Sequence, residues 1–238
     1  MRHVTDVSTV EWGDFGAVLF DLDGVITPTA LIHERAWADL FAPWGFTNAD
    51  YLAYVDGRPR YDGVRTFLAS RGVELPEGDP SDPPGDTTIC ALGNRKDEMF
   101  NAVLARQGIK PYPGSVAVLD RLDELGIPSA IVSSSKNART VLQAAGIEDR
   151  FDTVVDGNTL VDEQLAGKPD PAMFLHAASQ LDVPPARAVV VEDAISGVEA
   201  GHAGDFGLVI GVDRGGNRQA LDDAGADIVV DDLGETLA

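Results

Sequence analysis

The sequence predicts an α/β fold: a doubly wound, Rossmann-like parallel sheet carrying an inserted, mainly helical unit. Three observations predict it. Short continuous apolar runs alternate with helical patterns over most of the chain, as strands buried on both faces do. Between about Ala30 and Lys110 the alternation stops, and helical patterns follow one another without a strand, as in an insertion between two strands. Polar or acidic clusters close several of the apolar runs, at the edge where open α/β sheets place their ligands.

Each element has its own warrant. Ala17–Phe20 reads as the first strand, and Gly24 permits a tight turn after Asp21-Leu22-Asp23. In the insertion, Leu31–Phe41 is amphipathic, Val64–Ser70 is helical and Asn94–Gln107 is a longer helix. Pro76–Asp86 is too rich in Pro, Gly and Asp for regular structure and reads as a long, mobile surface loop. Turn chemistry marks the insertion's edges, Thr27-Pro28-Thr29 going out and Lys110-Pro111-Tyr112-Pro113-Gly114 coming back. The expected division is therefore a core of 1–29 and 111–238 with a helical unit of 30–110. In the second part of the core, helix Val116–Leu125 stops at Gly126, and strand Ser129–Val132 precedes helix Arg139–Ala145, closed by Gly146. Strand Phe151–Val155 leads to helix Ala172–Leu181, which opens at Asp170-Pro171, a cap followed by proline. Strand Ala188–Val191, helix Gly197–Ala203, strand Leu208–Ile210, helix Asn217–Ala224 and strand Ile228–Val230 complete the core.

Composition bounds the partners. A hydrophobic fraction of 44% in 238 residues can build a sizeable core. The single cysteine, Cys90, excludes an intrachain disulfide framework and fits a reducing compartment. Met1–Trp12 has no apolar leader pattern, and no apolar run approaches the roughly 20 residues of a membrane helix. A cytoplasmic monomer is expected. The formal charge is −21, from 39 acidic and 18 basic residues, which argues against nucleic acid and anionic membrane surfaces as partners. If the substrate is a phosphate, a metal ion and a few basic residues must reverse the local field.

Four clusters lie at expected strand ends. Asp21 and Asp23 are two apart and leave the first strand side by side. Ser133-Ser134-Ser135-Lys136-Asn137 brings hydroxyls, amides and an amine to a helix start, a natural phosphate cradle. Lys168, in Gly167-Lys168-Pro169, is a point charge suited to an anion. Glu192-Asp193 ends a buried strand with a second acidic pair, and hard cations such as Mg2+ take oxygen ligands. Singly, each cluster is an ordinary turn, loop or helix cap. Together, in this order at one sheet edge, they point to phosphoryl chemistry.

In this combination the chain resembles the haloacid dehalogenase superfamily of phosphotransferases, with an inserted helical cap. Phe20-Asp21-Leu22-Asp23-Gly24-Val25-Ile26-Thr27, followed by Thr29-Ala30, His33 and Arg35-Ala36-Trp37, is similar to the first motif and cap entry of the β-phosphoglucomutase-like subfamily. Ser133 with Ser135-Lys136-Asn137, then Lys168-Pro169 and Glu192-Asp193, resemble its other motifs, and Gly57-Arg58-Pro59-Arg60 and Arg95-Lys96 resemble its cap contacts. Pro28, Ala194 and the Pro76–Asp86 segment depart from the pattern.

The resemblance implies roles. Asp21 is the expected nucleophile, forming an aspartyl-phosphate, and Asp23 the general acid and base, a role that favours a raised pKa. Lys168 and Ser133 support the reacting phosphate. Asp21, the main-chain carbonyl of Asp23, Glu192 and Asp193 are expected to hold Mg2+. His33 couples cap closure to Asp23, while Trp37, Gly57, Arg60, Lys96, Ser133, Ser135, Lys136 and Asn137 bind the substrate and its phosphates. The implied reaction interconverts β-glucose 1-phosphate and glucose 6-phosphate, with glucose 1,6-bisphosphate as activator and intermediate. A sugar-phosphate phosphatase using the same nucleophile is the alternative. A dehalogenase has no need of this acid–base and metal chemistry, and a non-catalytic phosphate-binding module fits poorly with a complete set of groups.

Overall fold

The computed structural model describes residues 9–237. The reading of Met1–Trp12 and the outer ends of the expected core thus fall partly outside the described residues. Six strands, β1 (Ala17–Phe20), β2 (Ser129–Val132), β3 (Thr153–Val155), β4 (Ala188–Glu192), β5 (Leu208–Val212) and β6 (Ile228–Val230), form one sheet in the order β3-β2-β1-β4-β5-β6. Every pairing is parallel. The chain moves outward from β1 to β3, then returns to β4 on the other side of β1. That reversal opens a crevice beyond the carboxyl ends of β1 and β4.

The strands are buried on both faces, which explains their unbroken apolar runs. Val18 and Phe20 of β1, Ile131 of β2 and Val189 and Val191 of β4 face one layer. That layer includes α5 (Pro113–Leu125) and α6 (Ala138–Ala145). Ala17, Leu19, Ala130, Val132 and Val190 face the other layer, with α8 (Ala172–Gln180), α9 (Ile195–Ala203) and Leu221 of α10 (Arg218–Asp223). The period-two alternation of Ala17 to Phe20 is thus visible in packing though not in polarity.

Between β1 and α5 lie four helices, α1 (Thr29–Phe41), α2 (Asn48–Asp50), α3 (Arg60–Ser70) and α4 (Ile89–Gln107). They bury a separate cluster that includes Trp37, Phe41, Phe67 and Leu92. Phe41 stacks against Trp37 at 5.2 Å and meets Phe67 at 4.3 Å. Burying a large apolar side chain contributes roughly 1.5–3 kcal/mol, so these rings carry much of the cap's stability. The far end of α4 behaves differently: Phe100 and Leu104 join the core layer under the sheet. At the root of the cap, the Tyr112 amide donates to the Ile26 carbonyl (2.9 Å) and the Ser115 hydroxyl to the Val25 carbonyl (2.6 Å).

Some expectations needed correction. Pro76–Asp86 has no helix or strand, as expected, but it is pinned rather than loose. Asn94 Nδ2 donates to the carbonyls of Pro80 (3.0 Å) and Asp82 (2.8 Å), and Thr88 Oγ1 to Asp82 (2.8 Å). Helix α4 begins at Ile89, five residues before Asn94, because Thr88 caps it by accepting from the Ala91 amide at 2.9 Å. Helix α7 (Gly157–Asp162) was not expected, and Asp156 caps it through the amides of Asn158 and Thr159.

Candidate active site

The parallel register sets the site. The Asp21 amide donates to the Val191 carbonyl (2.9 Å), carrying the β1–β4 ladder one step past Phe20 and bringing Asp21 beside Glu192. One Asp21 oxygen accepts from the Asp23 amide at 2.8 Å and the other from Lys168 Nζ at 2.6 Å. Gly24 has φ +86°, and a Cβ there would overlap the Asp193 carboxylate, so the turn must be glycine for Asp193 to reach the site.

Lys168 is fully enclosed. Its ammonium also donates to Glu192 and to the Val132 carbonyl (3.0 Å). Burial alone would lower its pKa, but Asp21 and Glu192 more than reverse this and keep it charged. For Asp21, burial pushes the carboxyl upward, Lys168 opposes, and Glu192 and Asp23 add to the rise. Asp193 is pushed up by burial first and then by Asp56 and Glu192.

Asp21, Glu192 and Asp193 each offer an oxygen within 4.8 Å of the others. The Lys168 ammonium pairs with two of these three carboxylates, Asp21 and Glu192, and the surplus of enclosed carboxylate fits a hard divalent cation such as Mg2+. The Asp23 carboxylate lies outside that cluster. It accepts from the Thr29 hydroxyl, and its Oδ1 lies 3.4 Å from His33 Nε2. The expectation of Asp23 as a metal ligand is therefore left to its main-chain carbonyl. The expected rise in its pKa is corrected: burial raises it, but His33, Thr29 and Lys96 outweigh burial and hold Asp23 below the usual carboxylate range.

The serine loop is built by its own hydrogen bonds. Ser133 Oγ accepts from the Ser135 amide and Ser135 Oγ from the Asn137 amide, each at 3.1 Å, just before α6. Its partner is the cap loop. Ser134 Oγ donates to the Gly57 carbonyl (2.8 Å), and Ser196 Oγ to the Asp56 carbonyl (3.1 Å). Gly57 has φ +67°, and a Cβ there would press on Ser196 Oγ and stand 3.0 Å from the Ala194 Cβ. The cap loop thus sits directly on two core loops.

Above the carboxylates, His33 stacks on Phe100 at 4.1 Å and meets Lys96 through Nδ1. Lys96 is buried, 5.0 Å from the Trp37 ring centroid and 5.3 Å from that of Phe100. Burial lowers its pKa to about 7, despite Asp23 and Asp97 nearby. Trp37 is 3% exposed, so it acts chiefly as the face on which Lys96 rests. Lys136 reaches the cap, 5.8 Å from the Tyr61 ring centroid. Arg60 Nη1 and Asn137 Nδ2 both meet Asp97.

These groups line one cavity of about 350 Å³, within the range of small-molecule sites. The structure brings to it Asp21, Asp23, His33, Trp37, Gly57, Arg60, Lys96, Ser133, Ser135, Lys136, Asn137 and Asp193. Lys168 and Glu192 stand behind Asp21 as its support. Tyr51, Asp56 and Asp97 also line the cavity and were missed by sequence reasoning. Burial and then Asp56 push the pKa of the Tyr51 phenol up. Burial and then Glu192 raise that of Asp56 to about 7. The only signal of Asp56 in the sequence was its place directly before Gly57.

Comparison with known proteins agrees with this architecture. A family model described as haloacid dehalogenase-like hydrolase matches residues 15–205. A β-phosphoglucomutase of Mycobacterium bovis is 45% identical, over 93% of this chain and 91% of its own. A β-phosphoglucomutase of Bacillus subtilis is 33% identical, over 90% of this chain and 88% of its own. The crystal structure of a β-phosphoglucomutase from Clostridium difficile superposes with a TM-score of 0.76 at 26% identity, covering 93% of this chain and 92% of that one.

Proposed function

This chain belongs to the haloacid dehalogenase-like hydrolase family, in its β-phosphoglucomutase-like branch, and on that premise we propose that it interconverts β-glucose 1-phosphate and glucose 6-phosphate. The observation that carries this beyond phosphotransfer in general is the two-ended cavity. Asp21, backed by Lys168, lines the same enclosure as Arg60, Lys136 and Asn137, so a sugar phosphorylated at both ends has a partner for each phosphate.

Asp21 attacks the reacting phosphorus, the bond from phosphorus to the sugar oxygen breaks, and Asp21 becomes an aspartyl-phosphate while that oxygen takes a proton from Asp23. Lys168 holds the attacking carboxylate in place and offsets its charge. Asp21, the main-chain carbonyl of Asp23, Glu192 and Asp193 are the groups that would hold Mg2+. When bound, the ion supplies Lewis-acid neutralisation of the phosphoryl charge. Asp23, kept ionised, is set as the base that deprotonates the incoming sugar hydroxyl. A phosphate dianion beside it raises its pKa and lets it return that proton to the leaving oxygen. His33, between Lys96 and Asp23, links the cap to that carboxylate. The seated cap loop excludes water, which would otherwise hydrolyse the phospho-enzyme.

The same proposal includes a core of 1–29 and 111–238, a cap of 30–110, glucose 1,6-bisphosphate as activator, and a cytoplasmic monomer. The cap's separate hydrophobic cluster supports the division. Among the described residues, no helix is long and apolar enough to cross a membrane. The second reading, a sugar-phosphate phosphatase, is favoured by the hydrolase description of the matching family.

One assay separates the two. The protein is incubated with Mg2+, β-glucose 1-phosphate and catalytic glucose 1,6-bisphosphate, while glucose 6-phosphate and inorganic phosphate are followed together. Glucose 6-phosphate without phosphate release is expected; phosphate as the main product overturns the mutase. Asp21→Asn is expected to lower either activity by at least about a thousandfold, as loss of a covalent nucleophile does.

A further inference from the structure

The carboxylate of Asp97, on cap helix α4, occupies an anion's place. A single oxygen, Oδ1, receives Nη1 of Arg60 at 2.9 Å and Nδ2 of Asn137 at 2.5 Å. Arg60 opens cap helix α3, and Asn137 stands at the start of α6 in the core. The contact therefore bridges cap and core. The Asp97 side chain remains 29% exposed and lines the cavity, so an incoming anion reaches the same two donors.

We propose that Asp97 is an internal stand-in for the distal phosphate of the substrate, and that it makes the enzyme selective for a sugar phosphorylated at its far end. This rests on the reading of Arg60 and Asn137 as the distal phosphate's anchors. In the ligand-free molecule Asp97 holds both donors and spans the two domains. Binding exchanges this carboxylate for the phosphate. A phosphate group brings close to two charges and three acceptor oxygens, against one charge and one engaged oxygen of Asp97. It can take the Arg60 fork, satisfy Asn137 and still offer an oxygen to Lys136. A distal hydroxyl or a singly charged group gives Arg60 less than Asp97 already does, so it does not complete the exchange.

Asp97 would act in the opposite sense if it merely aimed Arg60 at the substrate. The two roles predict opposite changes when its charge is removed. Asp97→Asn keeps the shape and loses the charge; Asp97→Ala also loses the acceptor. Both are made in the Asp21→Asn background, so that ligands bind without turnover, and glucose 1,6-bisphosphate is titrated by calorimetry with Mg2+ present. Both substitutions are expected to tighten bisphosphate binding by about three- to tenfold. Weaker or unchanged binding overturns the proposal. Arg60→Ala in the same background tests the underlying reading: if bisphosphate binding is unaffected, the anchor assignment itself fails. If Arg60→Ala weakens binding and the Asp97 variants do not tighten it, only the stand-in role fails. With Arg60→Ala present, the gain from Asp97→Asn should largely vanish.

A readout with Asp97 left in place guards against Asp97 variants that fold poorly. In the full chain carrying only Asp21→Asn, the Asp97 carboxyl carbon resonance should move when glucose 1,6-bisphosphate is titrated in, as Arg60 and Asn137 leave it. A resonance that stays in place at saturation overturns the exchange.

Discussion

Lys96 is a lysine in a place that disfavours its charge. It is 4% exposed, walled by Trp37 and Phe100, and set against the His33 ring. Burial brings its pKa down to about 7 from an ordinary value near 10.5. Between those two pH values the unfolded chain binds the proton that the folded chain has released, so stability rises with pH across that window. Below pH 7 both states are protonated and the folded state bears the whole cost, about 5 kcal/mol for a shift of this size. Lys96→Met is therefore expected to stabilise the substrate-free protein most at pH 6 and progressively less toward pH 10. Melting temperatures of the pair across that range check it; a gain independent of pH would mean that packing, not charge, sets the effect. The cost has a use in the proposed reaction, because a bound phosphate restores the charge that burial suppresses.

Among the elements, the cap loop is the hinge of function. Its Asp56 and Gly57 carbonyls accept from Ser196 and Ser134, and Gly57 alone among its neighbours needs φ near +67°. Gly57→Ala imposes a left-handed backbone on a residue with a Cβ, at about 1–2 kcal/mol, and drives that Cβ toward Ser196 and Ala194. Since tenfold in binding is about 1.4 kcal/mol, KM for the sugar phosphate should rise by roughly tenfold. The melting temperature should fall by about 2–8 °C, at about 2–4 °C per kcal/mol for a chain of this length. Steady-state kinetics and a thermal melt together check this; an unchanged KM would show that the loop is not seated during turnover. Sequence and structure also diverge at this scale. Strands Ala17–Phe20, Ser129–Val132 and Ile228–Val230 have the expected limits, because full burial on both faces writes an unbroken apolar run. Helix α7 and the π-helical turn Tyr51–Val55 left no such trace. The first is six residues held by an Asp156 cap, and the second buries only Tyr51 and Val55, too few positions for a periodic pattern. Asp21 and Asp193 were legible because each directly follows a buried apolar strand, and Lys168 because it stands in a proline-flanked loop just before a helix. Asp56 and Asp97 were not, because their meaning depends on cap meeting core. The Asp56 carbonyl contacts Ser196, 140 residues away, and Asp97 contacts Asn137, 40 residues away.

At the scale of the whole molecule, the question is how a chain of net charge −21 gathers still more carboxylates around one lysine and then accepts a phosphate. Asp21, Glu192 and Asp193 converge from two strand ends, and Asp56 descends on them from the cap. Solvent ions screen the outer surface over about 8–10 Å but do little within an enclosed cavity. The folded core should therefore bind Mg2+ before any substrate arrives, and the unfolded chain, with these acids dispersed, should not. Such a ligand stabilises by about 2.7 kcal/mol at a hundred times its Kd. For a chain of this length each kcal/mol moves the melting temperature by about 2–4 °C, so saturating Mg2+ should raise it by roughly 5–10 °C. Asp193→Asn should remove most of that rise, and should itself make the metal-free protein no less stable, since it relieves a buried like-charge contact. Sodium chloride at matched ionic strength should produce little of the Mg2+ shift. Differential scanning calorimetry with and without each salt decides the matter: equal shifts from both would mean that Mg2+ acts by screening the surface, and the acidic cluster beside Asp21 would then have no claim to be a metal site.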